Sequence, residues 1–199
     1  MAKATIKLDG ITRVLKAHSK ETGSKAFTTQ IQYKANSKAN YYEYTNSSVI
    51  IRFTNDVFNT HANIKLFPDS TCTVFPNTDR TFPRITDDTK IQVFDTRLLL
   101  DNIRKLEKNP SSSLVKETKK HRVLDFIYTN RSFTNCHPLN HLPGFFRVDS
   151  YHLKTIIRIF SMLQCEETTI FYNEERPYQP IILECELATA VLAPIRYNH

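Results

Sequence analysis

The sequence predicts an α+β fold of repeated strand–helix–strands units, with antiparallel sheets and helices on one face. Two observations carry this. A short β-branched or aromatic run leads directly into an amphipathic helix, and the pattern occurs three times in 199 residues. Further strand-like runs follow these helices. Only three glycines, Gly10, Gly23 and Gly144, are present.

The first unit reads ATIKL, then DGITRVLKAHSK. Ile11, Val14, Leu15 and His18 form its apolar stripe. The second reads KIQVFD, then TRLLLDNIRKLEK, with Leu99, Ile103 and Leu106 on the stripe and Leu100 beside it. The third reads FFRVDS, then YHLKTIIRIFSML, with Leu153, Ile156, Ile157 and Phe160. Spacings of i, i+3, i+4 and i+7 place each set on one helix face, which should pack on a sheet. Asp9 and Ser150 are the expected N-caps of the first and third helices, and Asp95 or Thr96 of the second. The remaining strands are expected in YYEYTNSSVIIRFTND, HANIKLF, VLDFIYTN, ETTIFYN, PIILECE and TAVLAPIR. Turn-rich stretches at 68–88, 108–122 and 134–144 read as loops. The chain divides on this reading into an N-terminal unit, 1–87, and a C-terminal domain, 88–199.

Composition narrows the function. Apolar residues make up 40% and charged residues 24%, the balance of a folded chain. Lys and Arg number 27 against 20 Asp and Glu, a net charge of +7, which favours an anionic partner. The scarcity of glycine excludes Gly-rich phosphate loops. Cys72, Cys136, Cys165 and Cys185 fit no zinc or disulfide spacing. No signal core or membrane-length run is present, so a cytoplasmic protein with reduced thiols is expected.

Candidate chemistry is sparse. Cys136, His137 and His141, with His121 upstream, are ligand types for zinc but lack a fourth group at normal spacing, so no metal is expected. A Cys–His nucleophile would need an orienting group and an oxyanion hole that nothing supplies. The adjacent acids Asp87-Asp88, Glu166-Glu167 and Glu174-Glu175 would point to opposite strand faces and rarely share a substrate; the last two pairs read as solvating residues at turns, and Asp95 and Asp149 as helix starts. Tyr41, Tyr42 and Tyr44 suit base stacking, but also a half-buried strand. No catalytic residue and no cofactor is expected, and the chain is not read as an enzyme.

The polar helix faces are more informative. The first shows Arg13, Lys16 and Lys20. The second shows Arg97, Arg104, Lys105 and Lys108, and the third Lys154 and Arg158. Solvated faces usually mix signs, because like charges one turn apart oppose the helix. A shared bias toward cations points to phosphates as the partner.

Residues 146–196 resemble the C-terminal half of a bacterial β sliding clamp. The order is a strand, a helix opening Tyr151-x-Leu153, an acidic turn, a strand and an Arg176-Pro177 turn. A Pro180-to-Leu183 strand follows, and a tail at Ala193-Pro194-Ile195-Arg196. Residues 47–66, with Thr54-Asn55-Asp56, and 89–108 are similar more loosely. The resemblance implies a reduced clamp, of the kind a phage or mobile element would carry. It implies a ring of subunits with helices inward and their cations on double-stranded DNA. It further implies that DNA polymerase or other clamp-binding proteins dock by short peptides at the tail: Val191, Ala193, Pro194, Ile195 and Arg196. Pro194 cannot donate a ladder bond, so the strand should leave the sheet there. Two departures stand beside this. Three repeats are present where clamps carry an even number, and the family's Thr-Asp-Ser-His-Arg stretch has no counterpart. The alternatives are a monomeric basic nucleic-acid-binding protein, a decoy for clamp partners, and a hydrolase.

Overall fold

The computed structural model describes residues 8–22, 26–35, 40–58, 60–68, 75–108, 121–135 and 144–195. Each amphipathic segment is a helix: α1 Leu8–Glu21, α2 Thr96–Lys108 and α3 Ser150–Met162. Their ends follow side-chain chemistry. The Leu98 N–H donates to Asp95 Oδ1 at 2.8 Å, so Asp95 caps α2, while the Thr96 hydroxyl is buried against that of Thr168. The cap of α3 is Asp149, which accepts the Tyr151 N–H at 2.8 Å, one residue earlier than the sequence suggested. Ser150 is instead the first helical residue, and its hydroxyl donates to Glu107. Asp9 lies inside the first turn of α1, where a carboxylate favours the dipole, and Leu8 already belongs to the helix. The rest of the expected ATIKL strand lies outside the described residues. At the far end of α3, the Cys165 N–H reaches Phe160 O and the Gln164 N–H reaches Ser161 O, with Gln164 left-handed at φ +63°. This is a Schellman stop with glutamine where glycine is usual.

The strands are β1 Gln30–Ala35, β2 Asn40–Thr45, β3 Val49–Thr54, β4 Ile64–Lys65, β5 Lys90–Asp95 and β6 Val123–Ile127. They continue with β7 Ser132–Asn135, β8 Phe145–Asp149, β9 Glu167–Tyr172, β10 Ile181–Cys185 and β11 Ala188–Leu192. Strands β1 and β7 were not anticipated. Among the described residues, eight strands form one antiparallel sheet in the order β4-β1-β2-β3-β11-β10-β9-β5, and three form a second, β7-β6-β8.

This order shows how the repeats interlock. Strand β5 opens the second repeat but pairs with β9 of the third. Strand β8 opens the third but pairs with β6 of the second. The two repeats thus exchange their first strands. The first repeat adds its β1-β2-β3 to the same sheet through β3 and β11. Short β4 occupies beside β1 the place that β5 holds beside β9.

The expected stripes form the core. Ile11, Leu15, Leu99, Ile103, Leu153, Ile156, Ile157 and Phe160 are all buried, and Val14 and Leu106 pack at the margin. Helix α3 lies between the other two and touches both. Tyr42 and Tyr44 are fully buried, which removes them as stacking platforms for bases.

The α1–α3 contact holds a polar network. His18 is 0% exposed; its Nδ1 pairs with the Tyr44 hydroxyl at 3.0 Å and its Nε2 with His152 Nδ1 at 2.9 Å. His121 Nδ1 meets Asp149 Oδ2 at 2.7 Å. His121, Asp149 and His152 offer donor atoms within 4.8 Å of one another, but these groups already bond to each other, to His18 and to the α3 cap. Burial, then the neighbouring His152 and His121, lowers the His18 pKa to about 3. Burial lowers that of His152 as well.

The sheet's other face is crossed by residues 75–82. Glu43, fully buried, accepts from Lys34 at 2.8 Å, Arg52 at 2.6 Å and the Thr78 hydroxyl at 2.6 Å. The Arg52 guanidinium sits 3.9 Å from the Phe82 ring centre and also pairs with Asp79. Beside it, Ile50, Ile182 and Val191 form a small cluster under Phe82 and Phe171. Removing one partner of such a pair strands the other charges. Glu43→Ala should therefore cost about 3 kcal/mol in urea unfolding and expose residues 75–88 to proteolysis. Wild-type stability and cleavage would contradict this assignment.

The histidine network yields a pH dependence. Burial keeps His18 and His152 neutral when folded, whereas in the unfolded chain they take up protons below pH of about 6.5. Stability should thus fall as pH drops from about 6.5 toward 3, by up to about 1.4 kcal/mol per pH unit for each such histidine. His18→Gln should shallow this slope in unfolding curves at pH 7, 6 and 5. An unchanged slope would show that His18 is not the group that titrates.

Candidate functional site

The three described helices lie on one side of the strands that bury their stripes, and their opposite faces meet solvent. On α1, Arg13 and Lys20 are exposed and Lys16 is half-buried. The amines of Lys16 and Lys20 stand 5.2 and 5.8 Å from the centre of the Phe67 ring, so one aromatic side chain gathers both. On α2, Arg97, Arg104, Lys105 and Lys108 are all exposed. Arg104 meets Asp101 at 3.0 Å with both side chains more than half exposed, a pair that water screens heavily.

Helix α3 shows only a narrow strip, because its two other sides are covered. Tyr151, Lys154 and Arg158 lie along it at spacings of three and four. Arg158 is open to solvent. Lys154 is not a free cation: its Nζ lies 2.6 and 2.8 Å from the Glu107 carboxylate oxygens on α2. That acid also takes the Ser150 hydroxyl, so Lys154 serves the α2–α3 contact. Across the three helices the acids are Asp9, Glu21, Asp101 and Glu107; α3 carries none. Ammonium and guanidinium groups on an exposed helix face are the side chains that commonly contact phosphate oxygens.

The tail is anchored more firmly than the sequence implied. Val191 is 3% exposed, inside the cluster under Phe82, and offers no wall to a groove. Ladder pairing ends at Leu192, yet the Ala193 N–H still donates to Ser48 O at 2.9 Å. Pro194 comes next, and the Ile195 N–H then donates to Arg147 O of β8 at 2.8 Å. The segment therefore leaves the large sheet at the proline and ties to the small one. Ala193, Pro194 and Ile195 remain partly exposed, while Arg196 lies outside the described residues.

Two features escaped the sequence reading. Ile91 and Val93 of the edge strand β5 are 56% and 46% exposed, with Ile85 at 59% and Leu98 at 70%. The buried pair of Asp125 and Arg147, 2.6 Å apart, locks β6 to β8 directly across their ladder. Cys136, His137 and His141 lie outside the described residues. No described helix is long and apolar enough to cross a membrane.

No protein-family model and no curated protein matches the sequence. Solved structures do. The β subunit from DNA polymerase of Streptococcus pyogenes aligns over 95% of this chain and 64% of its own, with 14% identity and a TM-score of 0.61. The DNA polymerase sliding clamp from Bacillus subtilis aligns over 94% and 63%, at 11% identity and TM-score 0.58. That from Pseudomonas aeruginosa aligns over 95% and 65%, at 9% identity and TM-score 0.58. The chain thus spans just under two thirds of the length of these proteins. At this level of identity the likeness concerns backbone architecture alone: the chain has the DNA polymerase sliding-clamp fold.

Proposed function

We propose that this protein is a clamp-like scaffold that tethers replication proteins to double-stranded DNA and catalyses no reaction. The observation that carries the reading is the placement of cations. Three helices bury their apolar stripes on one side and present Arg13, Lys20, Arg97, Arg104, Lys105, Lys108 and Arg158 to solvent on the other. Such groups contact phosphates without reading bases, as a protein that moves along DNA requires. Lys16 supports the same surface, and Lys154 acts mainly by fixing α2 against α3.

The odd number of repeats shapes the assembly we infer. The second and third repeats exchange strands and form one complete unit, 88–199. Among the described residues the first repeat, within 1–87, joins the third only through β3 and β11 and has β4 at its outer edge. One chain is on this reading one and a half clamp domains, and a ring needs several copies. Partner peptides would dock where Ala193, Pro194 and Ile195 remain open, close to Arg196. A monomeric DNA binder or a decoy of clamp partners is separated from this reading by solution mass.

The test combines mass with salt dependence. Light scattering should give a multiple of the 23.2 kDa chain mass. Duplex binding should be independent of sequence and weaken with salt. Replacing Arg104, Lys105 and Lys108 with Ala should lower the slope of log K against log salt by about one for each lost phosphate contact. A slope unchanged in the triple variant would remove the helices from the DNA surface. A strictly monomeric protein would overturn the ring.

A further inference from the structure

The third repeat holds a pair of thiols that the DNA reading leaves unused. Cys165 follows the Schellman stop of α3, its backbone fixed by the bond to Phe160 O. Cys185 ends β10, in the ladder opposite Ala188. The two chain positions are far apart in sequence, yet the sulfur atoms are 2.7 Å apart. Both cysteines are free. Closing from 2.7 Å to a bond length of about 2.05 Å needs about 0.65 Å of movement, within the reach of side-chain rotation. We propose that Cys165 and Cys185 form a reversible disulfide by exchange with small cationic disulfides.

The surroundings assign the roles. The contact with Cys185, with the Leu187 and Glu186 amides, brings the Cys165 pKa down to about 7 against the cost of burial. The same contact and burial push the Cys185 thiol upward. Cys165 lines both hollows beside the pair and Cys185 only one, so Cys165 is the attacking thiolate. Its sulfur attacks one sulfur of the oxidant RS–SR, whose S–S bond breaks, and the RS⁻ released takes a proton. Cys185 then gives its proton to solvent, and its sulfur attacks Cys165 Sγ of the mixed disulfide. The new S–S bond forms as the second RS⁻ leaves and is protonated. Two protein thiols have lost two electrons and two protons, and the oxidant has become two RSH.

The groove over the pair selects the oxidant. It is about 520 Å³ and is lined by both cysteines and by Glu166, Glu167, Glu184 and Glu186. A neighbouring hollow shares Cys165 with Asp95 and a single cation, Arg97. Carboxylates on every side concentrate a cationic disulfide and repel an anionic one. The bond would staple the end of α3 to the β10–β11 hairpin.

The whole protein, with its other thiols Cys72 and Cys136 intact, is exposed at low ionic strength to cystamine or to oxidised glutathione. Non-reducing peptide mapping should find Cys165 joined to Cys185, with the loss of two hydrogen masses, and dithiothreitol should restore both thiols. Cystamine should react on the order of tenfold faster than glutathione disulfide, and salt should narrow the gap. Cys185→Ser should stall as a mixed disulfide on Cys165. Linkage of Cys165 to Cys72 or Cys136, or both thiols still open to alkylation after oxidation of the wild type, would overturn the pair. Equal rates with the two oxidants would overturn the selection by charge. None of these outcomes depends on DNA binding.

Discussion

The ladder between β3 and β11 carries the rest of the molecule. It runs from Ala188 opposite Phe53 to Leu192 opposite Val49, and joins the first repeat to the third. Both strands are central; one face is apolar, and the other sets Ile50 and Val191 beside Arg52 and Thr189. Ile51, Phe53, Ala190 and Leu192 enter the main core under the helices, while Ile50 and Val191 enter the smaller cluster under Phe82. A one-residue slip would exchange these two sets, which differ in size and neighbours, so the register is tightly specified. With the register fixed, α1 and α3 sit side by side, and His18 meets His152 across the contact. This ladder thus helps to set α1 beside α3 and, through α3, beside α2. Nothing in the charges themselves draws like-signed helices together.

The polar contacts between elements then act as locks on that arrangement. Asp125 and Arg147 bond β6 to β8, Glu107 and Lys154 bond α2 to α3, and Glu43 gathers Lys34, Arg52 and Thr78 beneath the crossing segment. A buried ion pair adds little net stability over apolar packing, because desolvation opposes the attraction. Its effect is on geometry, since any shifted packing would leave a charge buried and alone. The tail adds a further lock by running from Ser48 in the β2–β3 turn to Arg147 of β8 in the small sheet.

Local pattern made the helices legible and pairing left most of the rest hidden. Stripes of i, i+3, i+4 and i+7 placed α2 on its observed bounds and α1 and α3 within one residue. The caps were harder, since Asp149 and Ser150 are both good cap residues and only geometry separates them. Strand β1 was missed because Gln30, Ile31, Gln32 and Tyr33 carry a weak apolar signal, although Gln30 and Ile31 are buried. Strand β7 is only four residues long. The exchange of β5 and β8 between repeats leaves no local trace, because a strand looks the same whichever neighbour it joins. The basic faces were readable as a list of residues, but the pairing of Lys154 with Glu107 is a contact between separate helices. His18 did carry a signal: a polar residue in the phase of an apolar stripe needs a buried partner, though not one that can be named from sequence.

The magnitude of these charges bears on why assembly matters to the proposed role. A solvent-exposed cation gains only ~1 kcal/mol from a phosphate about 4 Å away, and salt screens it over roughly 8 Å. The strip on α3 is short, since 13 residues at about 1.5 Å each reach about 20 Å. In the proposed role one chain would therefore touch few phosphates, and its hold on DNA would dissolve quickly at cellular salt. Stronger cations would not solve this for a mobile tether, because tight phosphate contacts also resist sliding. Topology would. If several copies enclosed the duplex, residence would depend on the interfaces between chains, and the helices need only keep the DNA centred. Weak, well-spaced cations on rigid helices meet that requirement better than a dense basic loop. The eight-stranded sheet behind them supplies the rigidity, because its central ladder fixes where each helix points.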